Sequence, residues 1–231
     1  MLGEKSWFRD PKKQIFLVGI IVFILYLYLA RPGEPVKDVE IQGDYAYLTS
    51  GNTGLRVIDI SDPDNPEEVS FFDTLGFANN VDLSDQHAYI ADSGQGLRIL
   101  DISDPFQPRE VGHYRSPGSA QDVTKEGDLA YIAAGRSGLV IVNVTDPENP
   151  RMVGEFGSPR FASRVVVDSG RAYVVDGRRM WIVNINRPVA PQETGIYEAD
   201  ADINNLRVID NRAYLAIGRD GLVVLDLTKP D

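Results

Sequence analysis

Two hydrophobic patterns divide the chain. Ile15 to Ala30 is a continuous apolar run, IFLVGIIVFILYLYLA, whereas from Val36 onward apolar and polar positions alternate in short bursts broken by Gly, Asp, Asn and Pro. The first pattern predicts a helix of roughly 24 Å, slightly shorter than a hydrocarbon core of about 30 Å. The second predicts strands and tight turns, since no segment after residue 31 keeps a helical apolar period.

The alternating part repeats itself. Ala-Tyr recurs at Ala46-Tyr47, Ala88-Tyr89, Ala130-Tyr131, Ala172-Tyr173 and Ala213-Tyr214, at spacings of 42, 42, 42 and 41. Gly-Leu falls in phase at Gly54-Leu55, Gly96-Leu97, Gly138-Leu139 and Gly221-Leu222, and Asp-Pro at Asp62-Pro63, Asp104-Pro105 and Asp146-Pro147. Each unit parses into four strands, in the second copy Ala78 to Leu83, His87 to Asp92, Leu97 to Ile102 and Glu110 to Arg115. Glycine supplies positive φ in the hairpins, and the Asp-Pro corner caps its own backbone. Four strands every 42 residues is the period of a propeller blade, whose small sheet buries both faces against its neighbours.

The third strand of each unit carries a resemblance. It reads Leu55-Arg56-Val57-Ile58-Asp59-Ile60, Leu97-Arg98-Ile99-Leu100-Asp101-Ile102, Leu139-Val140-Ile141-Val142-Asn143-Val144 and Leu222-Val223-Val224-Leu225-Asp226-Leu227, and is followed by Ser-Asp-Pro or Thr-Asp-Pro in the first three. These units resemble the LVIVD repeat family over residues 36–231. The resemblance implies an all-β propeller and a surface or exported setting, and brings no shared catalytic motif with it. The expected architecture is about five blades, repeats 36–77, 78–119, 120–161, 162–202 and 203–231, behind one N-terminal transmembrane α-helix.

Charge sets the expected topology. Lys5, Arg9, Lys12 and Lys13 precede the apolar run, and from Arg31 onward the chain carries a net charge of about −13. Positive charge before the helix keeps residues 1–14 in the cytoplasm and sends the acidic body across the bilayer. Residues 15–30 then form a signal-anchor helix in the lipid bilayer, with residues 31–35 as linker. A cleaved signal peptide fits less well, because Leu27, Tyr28, Leu29 and Ala30 put a bulky Tyr where a small residue is required. The acidic body and the lack of a basic stripe oppose nucleic-acid binding. With no cysteine at all, disulfides, thiolate metal sites and cysteine nucleophiles are excluded.

Two departures from the repeat mark candidate contact surfaces. The fourth copy loses one residue in its second hairpin and replaces Gly-Leu by Arg179-Met180, so Arg178, Arg179 and Trp181 form a candidate partner contact beside the alternative of drift in a solvated turn. The fifth copy stops after its third strand, leaving Leu222 and Val224 on an apolar edge that proteins usually cover. A partner chain or second protomer at that edge is one expectation, and a tolerated short edge or a truncated ring are the others.

Candidate chemistry converges on the channel mouth, where the first strands meet. Repetition aligns Lys37-Asp38, Asn79-Asn80, Gln121-Asp122, Ser163-Arg164 and Asn204-Asn205. Their second members, Asp38, Asn80, Asp122, Arg164 and Asn205, make a ring of mostly oxygen donors. Calcium takes six to eight such ligands, but Arg164 opposes a cation and can pair with Asp122 or Asp38 instead. The only histidines, His87 and His113, both lie in the second copy, and no nucleophile elbow, zinc-protease motif or phosphate loop is present. No cofactor and no catalytic residue is therefore expected. The reading reached is a membrane-anchored, non-catalytic binding or structural module, an accessory subunit of a larger membrane complex. Its alternatives are an extracytoplasmic ligand-binding or adhesion module, and a metal-dependent hydrolase or lactonase using the channel ring.

Overall fold

The computed structural model describes residues 35–157, 159–218 and 221–228. The expected cytoplasmic segment 1–14, helix 15–30 and most of the linker lie outside the described residues. Among the described residues no helix is long and apolar enough to cross a membrane.

The described chain is five antiparallel meanders. The first blade comprises β1 (Asp38–Gln42), β2 (Tyr45–Thr49), β3 (Leu55–Asp59) and β4 (Glu67–Phe72). The second comprises β5 (Asn80–Ser84), β6 (His87–Ala91), β7 (Leu97–Asp101) and β8 (Arg109–Tyr114), and the third β9 (Asp122–Glu126), β10 (Leu129–Ala133), β11 (Leu139–Asn143) and β12 (Arg151–Phe156). The fourth holds β13 (Arg164–Asp168), β14 (Arg171–Asp176), β15 (Arg179–Asn184) and β16 (Gln192–Glu198). The fifth has three strands, β17 (Ile203–Ile209), β18 (Arg212–Ile217) and β19 (Gly221–Asp226). The strands of the second copy fall where alternation places them, to within two residues.

The repeated markers each have a local cause. Gly54, Gly96 and Gly138 have φ of +77°, +90° and +74°, and a Cβ there would sit 2.2 or 2.3 Å from a carbonyl oxygen of the outer strand. Only glycine fits both demands. In the fourth blade the shortened hairpin turns through Gly177 and Arg178 alone, so Arg179 is released from that conformation and begins β15. At the corners Asp62, Asp104 and Asp146 accept hydrogen bonds through Oδ1 from the backbone N–H two residues on, at 3.0–3.1 Å.

Blades stack face to face. The forward face of the first blade, with Tyr47, Leu55 and Val57, packs on the back face of the second, with Val81, Ala88, Ile90 and Leu100. The same pairing joins second to third, third to fourth and fourth to fifth. At the rim each corner is cradled by the preceding blade. Ser70 Oγ donates to Pro105 O at 2.5 Å, and at the matching positions a Cβ on Gly112 or Gly154 would lie 1.7 Å from Pro147 O or 1.9 Å from Pro188 O.

Among the described residues the series does not close. Successive first strands pack together from β1 through β17, but no comparable packing or shared hydrophobic cluster joins the fifth blade to the first among the described residues. The forward face of the fifth blade is consequently uncovered. Leu222 is 63% exposed and Val224 49%, whereas Leu55, Leu97 and Leu139, and Val57, Ile99 and Ile141, at the matching positions are fully buried.

Candidate functional site

The first strands enclose a cavity of about 370 Å³ whose lining includes Lys37, Asp38, Glu40, Asn80, Asp82, Asp122, Arg164, Asn205 and Arg207. All five ring residues expected from the repeat therefore meet in one channel. Their hydrogen bonds, however, run along the ring from blade to blade. Asp38 Oδ2 accepts from the Val81 N–H (3.2 Å) and from Asn80 Nδ2 (2.7 Å), Asn80 Oδ1 accepts from the Val123 N–H (3.0 Å), and Asp122 Oδ2 accepts from the Val165 N–H (2.8 Å). Each side-chain oxygen thus satisfies the first-strand amide of the following blade, an amide that would otherwise be buried without a partner. The ring is a set of straps across three successive seams.

Arg164 breaks this series, since a guanidinium has no acceptor. At the fourth seam Leu206 N–H is instead satisfied by the side chain beside it, Asn205 Oδ1 at 2.8 Å. Arg164 Nη1 stands 4.0 Å from Asp122 Oδ1, the ion pair that the sequence offered as one of its two choices.

A second ring lies two residues further along the strands and escaped the sequence reading. It contains Glu40, Asp82, Thr124 and Arg207, and is also partly strapped: Asp82 Oδ2 accepts from the Lys125 N–H (2.7 Å) and Thr124 Oγ1 donates to Val165 O (2.9 Å). Its signal was present in the acidic pair Glu40 and Asp82, which recurs at the 42-residue period.

Four carboxyls in a confined space titrate high. Burial pushes Asp122 up from 3.8 to about 7, against the opposing pull of the Val165 hydrogen bond and the Arg164 charge. Glu40 rises from 4.5 to about 7, chiefly through burial and then through the charges of Asp38 and Asp82, with Arg207 pulling the other way. Asp38 and Asp82 also move up, again because burial outweighs their backbone hydrogen bonds. Calcium would have to draw on oxygens of which several already hold neighbouring blades. Among the described residues no group of three or more His, Asp or Glu side chains has a metal-holding arrangement.

The other candidates fall elsewhere. Trp181 is not a surface anchor: it is 8% exposed, lies in the third seam, and meets the Phe156 ring edge-on at 5.8 Å. The reason is parity, because Trp181 occupies the back-face position held by Arg56, Arg98 and Val140 in earlier blades. Arg178 and Arg179 do reach the surface, where both pair with Glu198 at 3.4 and 3.3 Å, so the expected basic tip is partly neutralised. Leu222 and Val224 are exposed as expected, on a whole uncovered face as well as an edge. His113 lies on the outer strand against Gln95 O (2.6 Å), and His87 sits beside Tyr89, neither lining the channel.

Comparison with known proteins agrees with this architecture. The LVIVD repeat matches residues 33–74, 75–116, 117–157 and 159–199. No curated protein matches the chain. Many solved chains share the fold, among them a functionally unknown protein from Desulfotomaculum acetoxidans DSM 771, with 17% identity, a TM-score of 0.70, and coverage of 84% of this chain and 69% of that one. With four matched repeats spanning most of the sequence, stacked as blades around one strapped channel, the chain belongs to the LVIVD repeat family.

Proposed function

We propose that the chain is a single-pass membrane protein whose propeller, on the extracytoplasmic side, is a non-catalytic binding or structural module of a larger membrane complex. The observation that carries this reading is the uncovered forward face of the fifth blade, where Leu222 and Val224 expose 63% and 49% of their surface at positions buried in earlier blades. Exposed core-type faces of this kind mark interaction sites. The apolar run of residues 15–30 with lysines before it supports the anchor, and the acidic body supports its placement across the bilayer. The channel ring favours a structural role, since the side-chain oxygens of Asp38, Asn80, Asp82 and Asp122 hold backbone amides of adjoining blades.

The test is purification of the full chain from its native membrane in a gentle detergent, with mass spectrometry of what co-elutes. A stoichiometric set of membrane subunits supports the reading, and a monodisperse single chain overturns it. A second reading draws on the cavity itself, where Glu40 and Arg207 face a space large enough for a small polar ligand. Calorimetric titration of calcium and of small polar solutes against the full chain, with Asp38→Asn as comparison, tests it.

A further inference from the structure

The two ends of the strands differ in charge. Away from the channel mouth, the connections from first to second and from third to fourth strand hold nine carboxylates against Arg187 alone. At the mouth, the described connections from second to third strand and from blade to blade hold Arg115, Arg136, Arg160 and Arg178 against Asp73, Asp200 and Asp202, with Asp92 buried in its pair with Arg98. Two apolar side chains also stand exposed at the mouth end. Leu75, in the connection from β4 to β5, is 78% exposed on a left-handed backbone with φ of +58°. An L side chain adopts that conformation only at a cost, and here it gains no burial in return. Asp73 Oδ1 accepts the Leu75 N–H at 2.8 Å, so the turn is built rather than loose. Phe161, in the connection from β12 to β13, is 44% exposed; its N–H donates to Asp176 Oδ1 at 3.2 Å, and its ring lies over Gly135, where a Cβ would stand 3.4 Å away.

The chain enters the propeller at this same end. Lys37 N–H donates to Thr49 O at 2.8 Å, which fixes the backbone at the mouth from Lys37 onward. The apolar run ends at Ala30, seven residues earlier. Whatever its conformation, that stretch spans at most about 25 Å. The opposite ends of five-residue strands lie a further ~17 Å away. We infer that the mouth end of the propeller rests on the headgroup layer of the bilayer that holds the apolar run, with Leu75 and Phe161 dipping into the interface. The inference rests on the membrane anchor proposed above and adds a second, peripheral lipid contact to it. Arg115, Arg136 and Arg160, all exposed, then lie at the level of the lipid phosphates, which guanidinium groups bind well. The acidic end points away from an anionic surface that would repel it, and the channel mouth faces the lipid.

The absence of natural cysteine makes the test direct. The full chain carrying Leu75→Cys, Phe161→Cys or Val189→Cys is labelled with a nitrobenzoxadiazole fluorophore and reconstituted in vesicles of phosphatidylcholine and phosphatidylglycerol. Val189, 68% exposed between β15 and β16, reports the far end. A nitroxide carried high on the acyl chain of a tracer lipid should quench the labels at 75 and 161 several-fold more than the label at 189. Arg136→Glu combined with Arg160→Glu should lower the quenching at 75 while leaving the melting curve in detergent unchanged, because both side chains are already solvated. Quenching that is equal at the three positions, or strongest at 189, overturns the inference. So does a label at 75 that shifts to the blue without being quenched, which assigns the surface to a protein contact, including one with a second copy of this chain. If the chain floats with the vesicles and positions 75 and 161 stay unquenched, the anchor stands and this contact falls; if it does not float, both fall.

Discussion

Asp122 offers the sharpest test of the strap reading. Its carboxyl is 5% exposed and accepts the Val165 N–H at 2.8 Å, and burial raises it from 3.8 to about 7. A carboxyl with a raised folded-state value is a liability at neutral pH. Below about 4 the folded and unfolded chains are both protonated there and nothing is lost; between about 4 and 7 the unfolded chain ionises first, and stability falls as pH rises. The full window of about three units corresponds to roughly 4 kcal/mol, of which about 2 kcal/mol lies between about pH 5 and pH 7. Glu40 acts in the same direction across about 4.5 to 7.

Two substitutions separate the charge from the strap. Asp122→Asn keeps an acceptor oxygen, as Asn80 does one seam earlier at 3.0 Å, and removes the titration. It should flatten the pH dependence by about 2 to 3 kcal/mol between about pH 5 and pH 7 and leave the protein more stable than wild type at about pH 8. Asp122→Ala also removes the titration but strands the Val165 amide, and should lie about 1–3 kcal/mol below Asp122→Asn at every pH. Urea midpoints of the full chain in detergent, taken across about pH 5 to pH 8 with a constant m-value, give both quantities. An unchanged slope in Asp122→Asn would refute the buried-carboxyl argument, and equal stability of the two variants would refute the strap.

Three further outcomes are expected from thermal or urea unfolding of the full chain. Leu139→Ala, fully buried in the third seam, should cost about 2–5 kcal/mol, whereas Leu222→Ala at the matching position of the fifth blade should change stability by less than about 0.5 kcal/mol. Gly154→Ala drives a Cβ to 1.9 Å from Pro188 O and should cost at least about 1–3 kcal/mol, while Gly94→Ala, whose Cβ meets nothing within 4 Å, should be neutral or slightly stabilising. Arg98 bridges Asp92 (2.7 Å) and Glu110 (2.5 Å), so Arg98→Val leaves Asp92 buried and uncompensated at about 3–5 kcal/mol; adding Asp92→Ala should recover most of that loss, because the third blade already carries Ala134 and Val140 at these places.

Much of the fold is legible in the sequence because its determinants are local or periodic. Gly54, Gly96 and Gly138 announce a left-handed turn by being glycine, the Asp-Pro corners announce their own caps, and a period of 42 residues counts the blades. The same period brought Asp38, Asn80, Asp122, Arg164 and Asn205 to one channel. It could not say which atoms they meet. A ring of oxygens reads equally as a cation site or as a chain of straps, and the choice depends on whether each side chain turns toward the axis or toward the amide of the next blade. Trp181 went astray for a related reason. Its neighbours Arg178 and Arg179 suggested a surface, but alternation along β15 sends it to the back face, where alignment with Val140 already pointed.

The fifth blade shows where periodicity stops being informative. Leu222 repeats the residue of Leu55, Leu97 and Leu139 in the same strand position, and its surroundings are opposite, 63% exposed against fully buried. Burial in a stacked array is a property of the seam, and a seam belongs to two blades. The sequence of one blade specifies which half of a seam it offers; only the neighbour decides whether the seam forms. That is why the forward faces of the first four blades, with Leu55, Leu97, Leu139 and Met180 at this position, are core while the fifth, with Leu222, is exposed.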